Sequence, residues 1–490
     1  MKQLKHRTIF VLIFALLLLI GAGLFCVLYA INGRSWASSP VNMAAYSNGR
    51  LAEGEILDRN GTLLYDCEDQ SYADSSLLRK STLHLIGDLQ GNIATGARKI
   101  FSKQLVSYNP ITGLSSTGNK LYLSIDAQLN STAYKALDGR AGTVAVYNYK
   151  TGEIVCMVSS PAYDPTAEDE VAAVEDGDSD YAGAYMNRFL QSTFTPGSIF
   201  KVITAAAALE NLDTDSFTYS CDGVLTINGE KVTCPHAHGD LDFQTALAKS
   251  CNGAFATLAL QLGGDTLKEY AQKAGLLDSV DISGYQSAVG AFDAADDGTL
   301  DLGWSGVGQY HDLVSPASIL TLMGCIAGDG SAATPRLLSK ITSESGLPAG
   351  IISTPTSTIG WKSSTCETLQ AMMRNNVEQT YGQDQFGDLA VCAKSGTAEV
   401  GSDQAPHAWF VGFIDDDATE THLAPLIGLQ ARQRIGSDDN VRGLSLLHDR
   451  RPPARGCLTN TTHTQAGRKL RGLLRPHAYN RSRGNHQHRT

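Results

Sequence analysis

Ser198 and Lys201 are residues of this chain whose types and spacing could do covalent chemistry. They follow Thr195-Pro196-Gly197 at the start of an Ala-rich helical pattern, where side chains at i and i+3 share one face. A serine hydroxyl becomes a good nucleophile when a base takes its proton, and a lysine desolvated among apolar neighbours can be that base. The helix N-terminus adds partial positive charge where an oxyanion would develop. Alone, such a pair is expected about once by chance in a chain of this length.

Two further polar motifs follow along the chain. Ser250-Cys251-Asn252 presents a hydroxyl and a carboxamide from one short turn after a helical stretch, although a helix cap would explain these residue types equally well. Lys394-Ser395-Gly396-Thr397 continues the apolar strand Leu389–Ala393. A glycine on an edge strand would let a substrate backbone approach.

Hydrophobic periodicity predicts the elements that must position these motifs. The predicted strands cover Lys120–Ile125, Gly142–Asn148, Gly152–Val158, Leu389–Ala393 and Ala408–Ile414, and the predicted helices cover Gln128–Leu137, Ser198–Glu210, Phe243–Gly263 and Leu267–Ala274. Residues 167–180 are rich in Asp and Glu without an apolar period, which predicts a solvated loop. Strands at both ends with helices between them indicate an α+β fold, an antiparallel sheet flanked by helices.

The three motifs, in this order and on helix, turn and strand, resemble the motif set of the penicillin-recognising serine enzymes. Within them the chain is similar to the class B penicillin-binding proteins over about residues 1–427. Further resemblance is carried by Gly54-Glu-Ile-Leu-Asp58-Arg59-Asn60-Gly61, Gly152-Glu-Ile, Ser159-Ser160-Pro161 and Trp304-Ser-Gly306-Val-Gly308-Gln309. The resemblance implies a β-lactamase/transpeptidase-like fold with an all-helical subdomain. The segment of about 90 residues before the catalytic domain is too short for a glycosyltransferase, which disfavours the bifunctional class A proteins.

The resemblance also implies roles for the motif residues. Ser198 would attack the carbonyl between the two terminal D-alanines of a peptidoglycan stem peptide, with Lys201 as general base. Ser250 and Lys394 would pass a proton to the leaving D-alanine, and Asn252 would bind a substrate amide. A neighbouring stem-peptide amine would then resolve the acyl-enzyme and complete a cross-link.

The remaining implied roles belong to the third motif. Backbone N–H groups of Ser198 and Thr397 would form the oxyanion hole. The hydroxyls of Ser395 and Thr397 would hold the substrate's terminal carboxylate, beside Gly396. β-Lactams would bind the same site, and the serine chemistry requires no cofactor and no metal.

Composition and charge place the chain among folded, membrane-anchored proteins. Of 490 residues, 42% are hydrophobic and 18% charged, and the acidic body of the chain argues against nucleic acid as the main partner. The uncharged run Ile9–Ile31 is long enough to span a membrane and too long for a cleavable signal peptide. Because Lys2, Lys5 and Arg7 precede it, a cytoplasmic N-terminus and an extracytoplasmic catalytic domain are expected. By resemblance, a polytopic glycan polymerase is the expected partner.

Four segments are predicted: an anchor at 1–31, a separate pedestal module at 32–119, a transpeptidase domain at 120–427 and an aberrant tail at 428–490. Residues 430–490 hold 13 basic and 3 acidic residues and five of the twelve histidines, with no sustained period. An apolar strand begins at Leu423 and is interrupted after Ile427. We interpret the tail as out-of-frame translation beginning near residue 427, a genuine basic tail being the alternative. Activity of this chain depends on which holds.

The cysteines allow one predicted disulfide. Cys221 and Cys234 flank a hairpin with an Asn228-Gly229 turn, so a bridge between them is possible. Cys234 with His236 and His238 could also bind zinc, but a loop with surface histidines is favoured.

Two rival functions stay open. A β-lactamase or D,D-carboxypeptidase would pass the acyl group to water, and the anchor and pedestal argue against it. A non-catalytic β-lactam sensor or scaffold is kept open by the abnormal C-terminus.

Overall fold

The computed structural model describes residues 2–37, 53–109, 113–114, 117–399, 406–416 and 421–430. Helix α1 (Lys2–Ala37) contains an apolar span, His6–Tyr29, with mean hydropathy 3.0. Its 24 residues would extend about 36 Å, which is enough to cross a bilayer. The predicted apolar segment is therefore one long helix.

Thirteen further helices are described. They are α2 (Ser76–Ile86), α3 (Ala97–Ile100), α4 (Ser102–Leu105), α5 (Ala127–Leu137), α6 (Glu168–Glu175), α7 (Arg188–Gln191), α8 (Lys201–Asn211), α9 (Phe243–Ala248), α10 (Asn252–Leu262), α11 (Gly264–Lys273), α12 (Leu300–Ser305), α13 (Pro316–Ala327) and α14 (Ser363–Asn376). Short 3₁₀ turns cover Ser179–Tyr181, Gly197–Ile199 and Gln383–Gln385, and a π-helical turn covers Val377–Tyr381.

The strands are mostly short. They are β1 (Glu55–Leu57), β2 (Leu63–Asp66), β3 (Ser71–Tyr72), β4 (Tyr108–Asn109), β5 (Gly113–Leu114), β6 (Lys120–Leu123), β7 (Ala141–Asn148), β8 (Ile154–Ser160), β9 (Thr218–Cys221), β10 (Val224–Ile227), β11 (Glu230–Thr233), β12 (Gly239–Asp242), β13 (Asp281–Ile282), β14 (Tyr285–Gln286), β15 (Ser331–Ala333), β16 (Leu338–Thr342), β17 (Thr356–Thr358), β18 (Val391–Ala398), β19 (His407–Asp416) and β20 (Thr421–Gln430).

An antiparallel sheet in the order β18-β19-β20-β7-β8 forms the centre of the fold. Successive side chains of a strand point to opposite faces. Along β7, Ala145 and Tyr147 therefore enter one core with α8, α10 and α13, whereas Val144 and Val146 enter a second core with α5. Helix α13, buried along its whole length, contacts β19 and β20. Because both faces are covered, these strands are nearly continuous apolar runs.

Strand β20 extends past the predicted break at residue 427. It pairs with β19 and with β7 in continuous antiparallel register up to Gln430, opposite His407 and Ala141. The interpretation that this strand ends at Ile427 is therefore wrong by three residues. The sheet therefore contains a complete strand, β20, next to the β18–β19 hairpin. The tail from residue 431 onwards lies outside the described residues.

A second five-stranded sheet crosses the predicted boundary at residue 119. Its order is β16-β6-β1-β2-β3, with β1 parallel to β6 and the other pairs antiparallel. Strands β1, β2 and β3 come from the predicted pedestal, whereas β6 and β16 come from the predicted transpeptidase domain. Strand β1 of the pedestal is thus joined to β6 of the following domain by main-chain hydrogen bonds, so the module is not structurally separate.

Helices α8 to α12 form the predicted helical subdomain. It also contains three two-stranded ribbons, β9–β12, β10–β11 and β13–β14, so this part of the fold is not all-helical. Asn228 and Gly229 close the β10–β11 hairpin with φ of 51° and 89°, as the Asn-Gly pattern predicts.

Candidate active site

Ser198 lies in a 3₁₀ turn that leads into α8. Two neighbouring elements hold this turn. The N–H of Gly197 donates to the carbonyl oxygen of Gly308 across 2.8 Å. The indole Nε1 of Trp409 donates to the carbonyl oxygen of Thr195 across 3.0 Å. The serine is partly exposed, and its hydroxyl makes no hydrogen bond within the described part of the chain.

Two glycines allow the Ser198 turn to lie against β18. Gly197 has φ of 54°, and a Cβ there would meet the carbonyl oxygen of Thr397 at 2.5 Å. A Cβ on Gly396 would meet Ile199 at 3.0 Å and the Pro196 carbonyl oxygen at 3.1 Å. Gly396 is buried under this turn, so the approach that it permits is that of the chain's own backbone.

The ammonium group of Lys201 is fully buried on the side of Ser250 and Asn252. Its Nζ donates to the Ser250 carbonyl oxygen at 2.6 Å, to Asn252 Oδ1 at 2.7 Å and to Ser250 Oγ at 3.2 Å. The first two oxygens can only accept hydrogen bonds. A neutral lysine would therefore donate its two protons to these oxygens and direct its lone pair towards the Ser250 hydroxyl. Burial lowers the pKa of Lys201 to about 7, which makes the neutral amine accessible.

A helix-ending motif creates the turn that carries Ser250. The N–H of Ser250 donates to the Leu247 carbonyl oxygen and the N–H of Cys251 to that of Ala246, while Ser250 adopts φ of 52°. This is the Schellman pattern, in which a left-handed residue ends a helix, and α10 begins directly afterwards. The turn divides the predicted helical stretch Phe243–Gly263 into α9 and α10.

The carboxamide of Asn252 has its orientation fixed by a second partner. Its Nδ2 donates to the carbonyl oxygen of Thr233 across 2.7 Å, at the end of β11. Oδ1 must then face Lys201. Asn252 therefore orients the amine of Lys201 in the absence of substrate.

Lys394 is also fully buried and contacts the same serine. Its Nζ donates to Ser250 Oγ at 3.0 Å and to the Ser395 carbonyl oxygen at 2.8 Å. Burial, and then the charge of Lys201, lower the pKa of Lys394 well below its ordinary value. The Ser250 hydroxyl thus joins two lysines that can exchange a proton through it.

The last two motif residues differ in their surroundings. Thr397 is exposed at the surface of β18, and its carbonyl oxygen accepts a hydrogen bond from Gln309 Nε2 at 3.2 Å. Ser395 instead contacts Tyr381: its N–H donates at 2.8 Å and its Oγ at 3.0 Å to the tyrosine hydroxyl. Tyr381 belongs to none of the sequence motifs, because it lies in a π-helical turn outside them.

Cys221 and Cys234 lie next to each other as predicted, but both are free thiols with their sulfurs 3.9 Å apart. His238 and Cys251 contact this pair, whereas His236 is exposed. The disulfide expected from the hairpin is therefore absent from these described residues. A cluster of four donors takes its place.

The arrangement can perform acyl transfer. A partly exposed serine lies at the N-terminal side of a helix, and two buried lysines of lowered pKa share the hydroxyl of a second serine. Such a relay can take a proton from the nucleophile and deliver it to a leaving group.

The chain is similar in sequence to known penicillin-binding proteins. A family model described as the penicillin binding protein transpeptidase domain matches residues 142–437, more than half of the chain. The peptidoglycan D,D-transpeptidase PbpA of Mycolicibacterium smegmatis is 30% identical over 357 residues, covering 67% of this chain and 71% of that protein.

Solved structures agree in fold. The crystal structure of PBPA from Mycobacterium tuberculosis matches with a TM-score of 0.69 at 21% identity, covering 81% of this chain and 99% of that one. A penicillin G acyl-enzyme complex of penicillin-binding protein A from the same organism matches with a TM-score of 0.66 at 21% identity, with the same coverage. The three motifs, the family match and the similarity to PbpA together show that the chain belongs to the penicillin-binding protein transpeptidase family, as a class B member.

Proposed function

We propose that this chain is a peptidoglycan D,D-transpeptidase that cross-links stem peptides through an acyl-enzyme on Ser198. The observation that carries the proposal is the convergence of Lys201 and Lys394 on the hydroxyl of Ser250, beside the Ser198 turn. The names of the similar proteins support the same reaction: one is a peptidoglycan D,D-transpeptidase, and another forms a penicillin G acyl-enzyme.

Acylation begins when the neutral Lys201 removes the proton of Ser198. The serine oxygen attacks the carbonyl carbon between the two terminal D-alanines, and the carbonyl oxygen becomes an oxyanion. N–H groups of Ser198 and Thr397 are the proposed donors to that oxyanion, because the glycine contacts bring β18 against the nucleophile turn. The Thr397 hydroxyl, exposed on β18, is the proposed contact of the substrate carboxylate.

Collapse of the tetrahedral intermediate requires a proton on the leaving amine. Ser250 can donate its hydroxyl proton to the D-alanine nitrogen and regain one from Lys201 or Lys394, which both contact its Oγ. The amide C–N bond breaks and an ester on Ser198 remains. An amine of a second stem peptide then attacks the ester, the new amide forms, and the serine recovers its proton.

The apolar helix α1 supports a location at the membrane. The basic residues before it favour a cytoplasmic N-terminus with the catalytic domain outside. A polytopic glycan polymerase is the proposed partner, because a tethered cross-linking enzyme needs newly made glycan strands at the membrane surface. Co-purification of a polymerase from solubilised membranes tests this part.

Labelling of the full chain with a fluorescent penicillin tests the reaction. We expect a covalent adduct that lasts for hours and is absent from Ser198→Ala, whereas Ser192→Ala, altered in the same segment, should label normally. Release of the label within seconds would indicate a hydrolase, such as a β-lactamase or D,D-carboxypeptidase. Absence of labelling in folded protein would indicate a non-catalytic scaffold.

The tail at 431–490 is proposed to be out of frame, because β20 stays in register with its neighbours up to Gln430. Reading the gene across this codon tests it. The proposal is supported if another reading frame after this codon encodes an apolar, helical continuation of the domain. It is contradicted if no other frame encodes such a continuation.

A further inference from the structure

Four side chains of types that can bind a metal lie close together beside the turn that carries Ser250. Cys221 ends β9, Cys234 follows β11, His238 precedes β12, and Cys251 caps α10. Their donor atoms all lie within 4.8 Å of one another. Cys221 and Cys251 are buried and the other two are partly buried, so the cluster faces the interior of the subdomain. We refer to these four residues as the Cys₃His cluster.

The separations match a tetrahedral zinc site. With zinc–sulfur bonds of about 2.3 Å and zinc–nitrogen bonds of about 2.0 Å, a tetrahedron has edges of about 3.8 Å between sulfurs and about 3.5 Å between sulfur and nitrogen. Here Cys221 Sγ and Cys234 Sγ are 3.9 Å apart, and Cys234 Sγ and Cys251 Sγ are 3.8 Å apart. Cys221 Sγ lies 3.4 Å from His238 Nδ1.

We propose that the Cys₃His cluster binds one structural zinc ion. Zinc binding would release the three thiol protons and leave three thiolates and a neutral imidazole around the ion. Thiolate and imidazole donors in a closed tetrahedron are the ligand set that structural zinc prefers. The sequence carries it as Cys-x₁₂-Cys-x₃-His-x₁₂-Cys, a pattern distinct from the Cys-x-His-x-His alternative, because His236 is not part of the cluster.

A disulfide accounts for the cluster less well. Cys234 is as close to Cys251 as to Cys221, so the geometry selects neither partner. Either disulfide would leave the third thiol and the imidazole of His238 packed beside it, and the disulfide would not explain why they are there. A metal ion uses all four side chains at once. The N–H of Ala254 also donates to Cys251 Sγ at 3.5 Å, and such a hydrogen bond helps to orient a thiolate that binds a metal.

Because the Cys₃His cluster lies beside Ser250 and Asn252, its four residues would help to position these two side chains. Cys251 lies between Ser250 and Asn252, and Thr233, which orients Asn252, precedes Cys234. A bond from zinc to Cys234 and Cys251 would therefore fix β11 relative to the left-handed turn at Ser250. This consequence rests on the proposed function, whereas the metal site itself does not.

Metal analysis of the full chain, purified in detergent without chelator, tests the site. We expect about one zinc per chain, and replacement by Co²⁺ should give the near-ultraviolet thiolate-to-cobalt absorption of a tetrahedral site. His238→Ala should lose the metal, while His236→Ala, altered two residues away at an exposed side chain, should keep it. Cys234→Ser should lose it and Cys67→Ser should keep it. Zinc content and the cobalt spectrum of the unaltered chain decide the matter even if a variant fails to fold.

Two results would overturn the inference. One is zinc-free protein, after exposure to Zn²⁺, with a Cys221–Cys234 or Cys234–Cys251 bridge in its non-reduced peptide map. The other is equal zinc content in the two histidine variants. For the positioning role, removing zinc should slow penicillin labelling at least tenfold and adding Zn²⁺ should restore it; unchanged labelling by zinc-free protein would overturn that role. Because zinc content is measured without substrate, failure of the transpeptidase proposal would leave it unaffected.

Discussion

Asn252 accepts a hydrogen bond from Lys201 at 2.7 Å through an oxygen whose orientation is fixed from the opposite side of the carboxamide. This pair explains how a buried lysine can be a base. An acceptor that cannot donate occupies one N–H of the amine, the Ser250 carbonyl oxygen occupies a second, and the lone pair remains for a hydroxyl. The amine of Lys201, the proposed base, is thus oriented before any substrate arrives.

The rate of penicillin acylation should depend on the protonation of Lys201. Because burial lowers the pKa of Lys201 to about 7, the ammonium form prevails below that pH and has no lone pair to accept a proton. We expect the second-order labelling rate to rise with pH up to about 7 and then to level off. Labelling rates measured between pH 5 and pH 9 test this.

Lys201→Met serves as the control for that profile. Methionine keeps most of the buried volume, so the variant should fold, but labelling should fall by about 10²- to 10⁴-fold, the usual contribution of a general base. Its residual rate should show no inflection near pH 7. A profile identical to that of the unaltered chain would assign the titration to another group.

Ser250 combines a chemical and a conformational role that two substitutions can separate. Both Ser250→Ala and Ser250→Gly remove the hydroxyl shared by the two lysines, so both should lose about 10²-fold or more in labelling rate. Since φ is 52° at this residue, glycine should be more stable than alanine by about 1 kcal/mol. Thermal unfolding measures the difference, and equal stabilities would contradict the left-handed turn.

Gly308 and Gly61 form a matched pair with similar backbone conformation, φ of 84° and 88°. A Cβ on Gly308 would collide with the Gly197 carbonyl oxygen, whereas a Cβ on Gly61 has open space around it. Both alanine variants should lose about 1–2 kcal/mol of unfolding free energy for the left-handed residue. Gly308→Ala should in addition slow labelling by about 100-fold, because it displaces the nucleophile turn. Equal labelling rates in the two variants would refute this.

Replacing tyrosine by phenylalanine should change the stability of the protein differently at Tyr381 and at Tyr147. Tyr381→Phe leaves the Ser395 N–H without its acceptor and should cost about 1–3 kcal/mol, with slower labelling. The Tyr147 hydroxyl is buried without a hydrogen-bond partner among the described residues, so Tyr147→Phe should be close to neutral. Denaturant unfolding of both variants compares them, and the reverse order of stability would count against the Tyr381 contact.

The motif residues and the strands that carry them could be predicted because hydrophobic periodicity and turn-forming residues are local signals in the sequence. Residues 167–180 show the limit of such signals, because their acidic composition predicts a solvated loop. Residues 168–175 instead form α6, with Glu168, Asp169 and Glu170 in its first turn. Acidic residues there favour the helix dipole, and Lys80 pairs with Glu170 at 2.6 Å. That partner is distant in sequence, so hydrophobic period alone could not reveal the helix.

The same reason limited the prediction of the site. Ser198 and Lys201 are three residues apart where a 3₁₀ turn leads into α8, so a local pattern reveals both. Tyr381 and Thr233 reach the site through tertiary contacts alone. The cysteines were visible, yet their pairing was interpreted within one hairpin. Cys251 joins them only because a helix-ending turn brings α10 back against β11.

The position of β20 in the sheet also sets an order of assembly. This strand is made after every other described strand, yet it pairs with β7 on one side and β19 on the other. Until it arrives, the growing chain holds two partial sheets, each with an open edge of main-chain groups. A truncation that removes β20 would therefore expose both edges at once and favour aggregation. A chain that extends to Gln430 contains all five strands of the sheet.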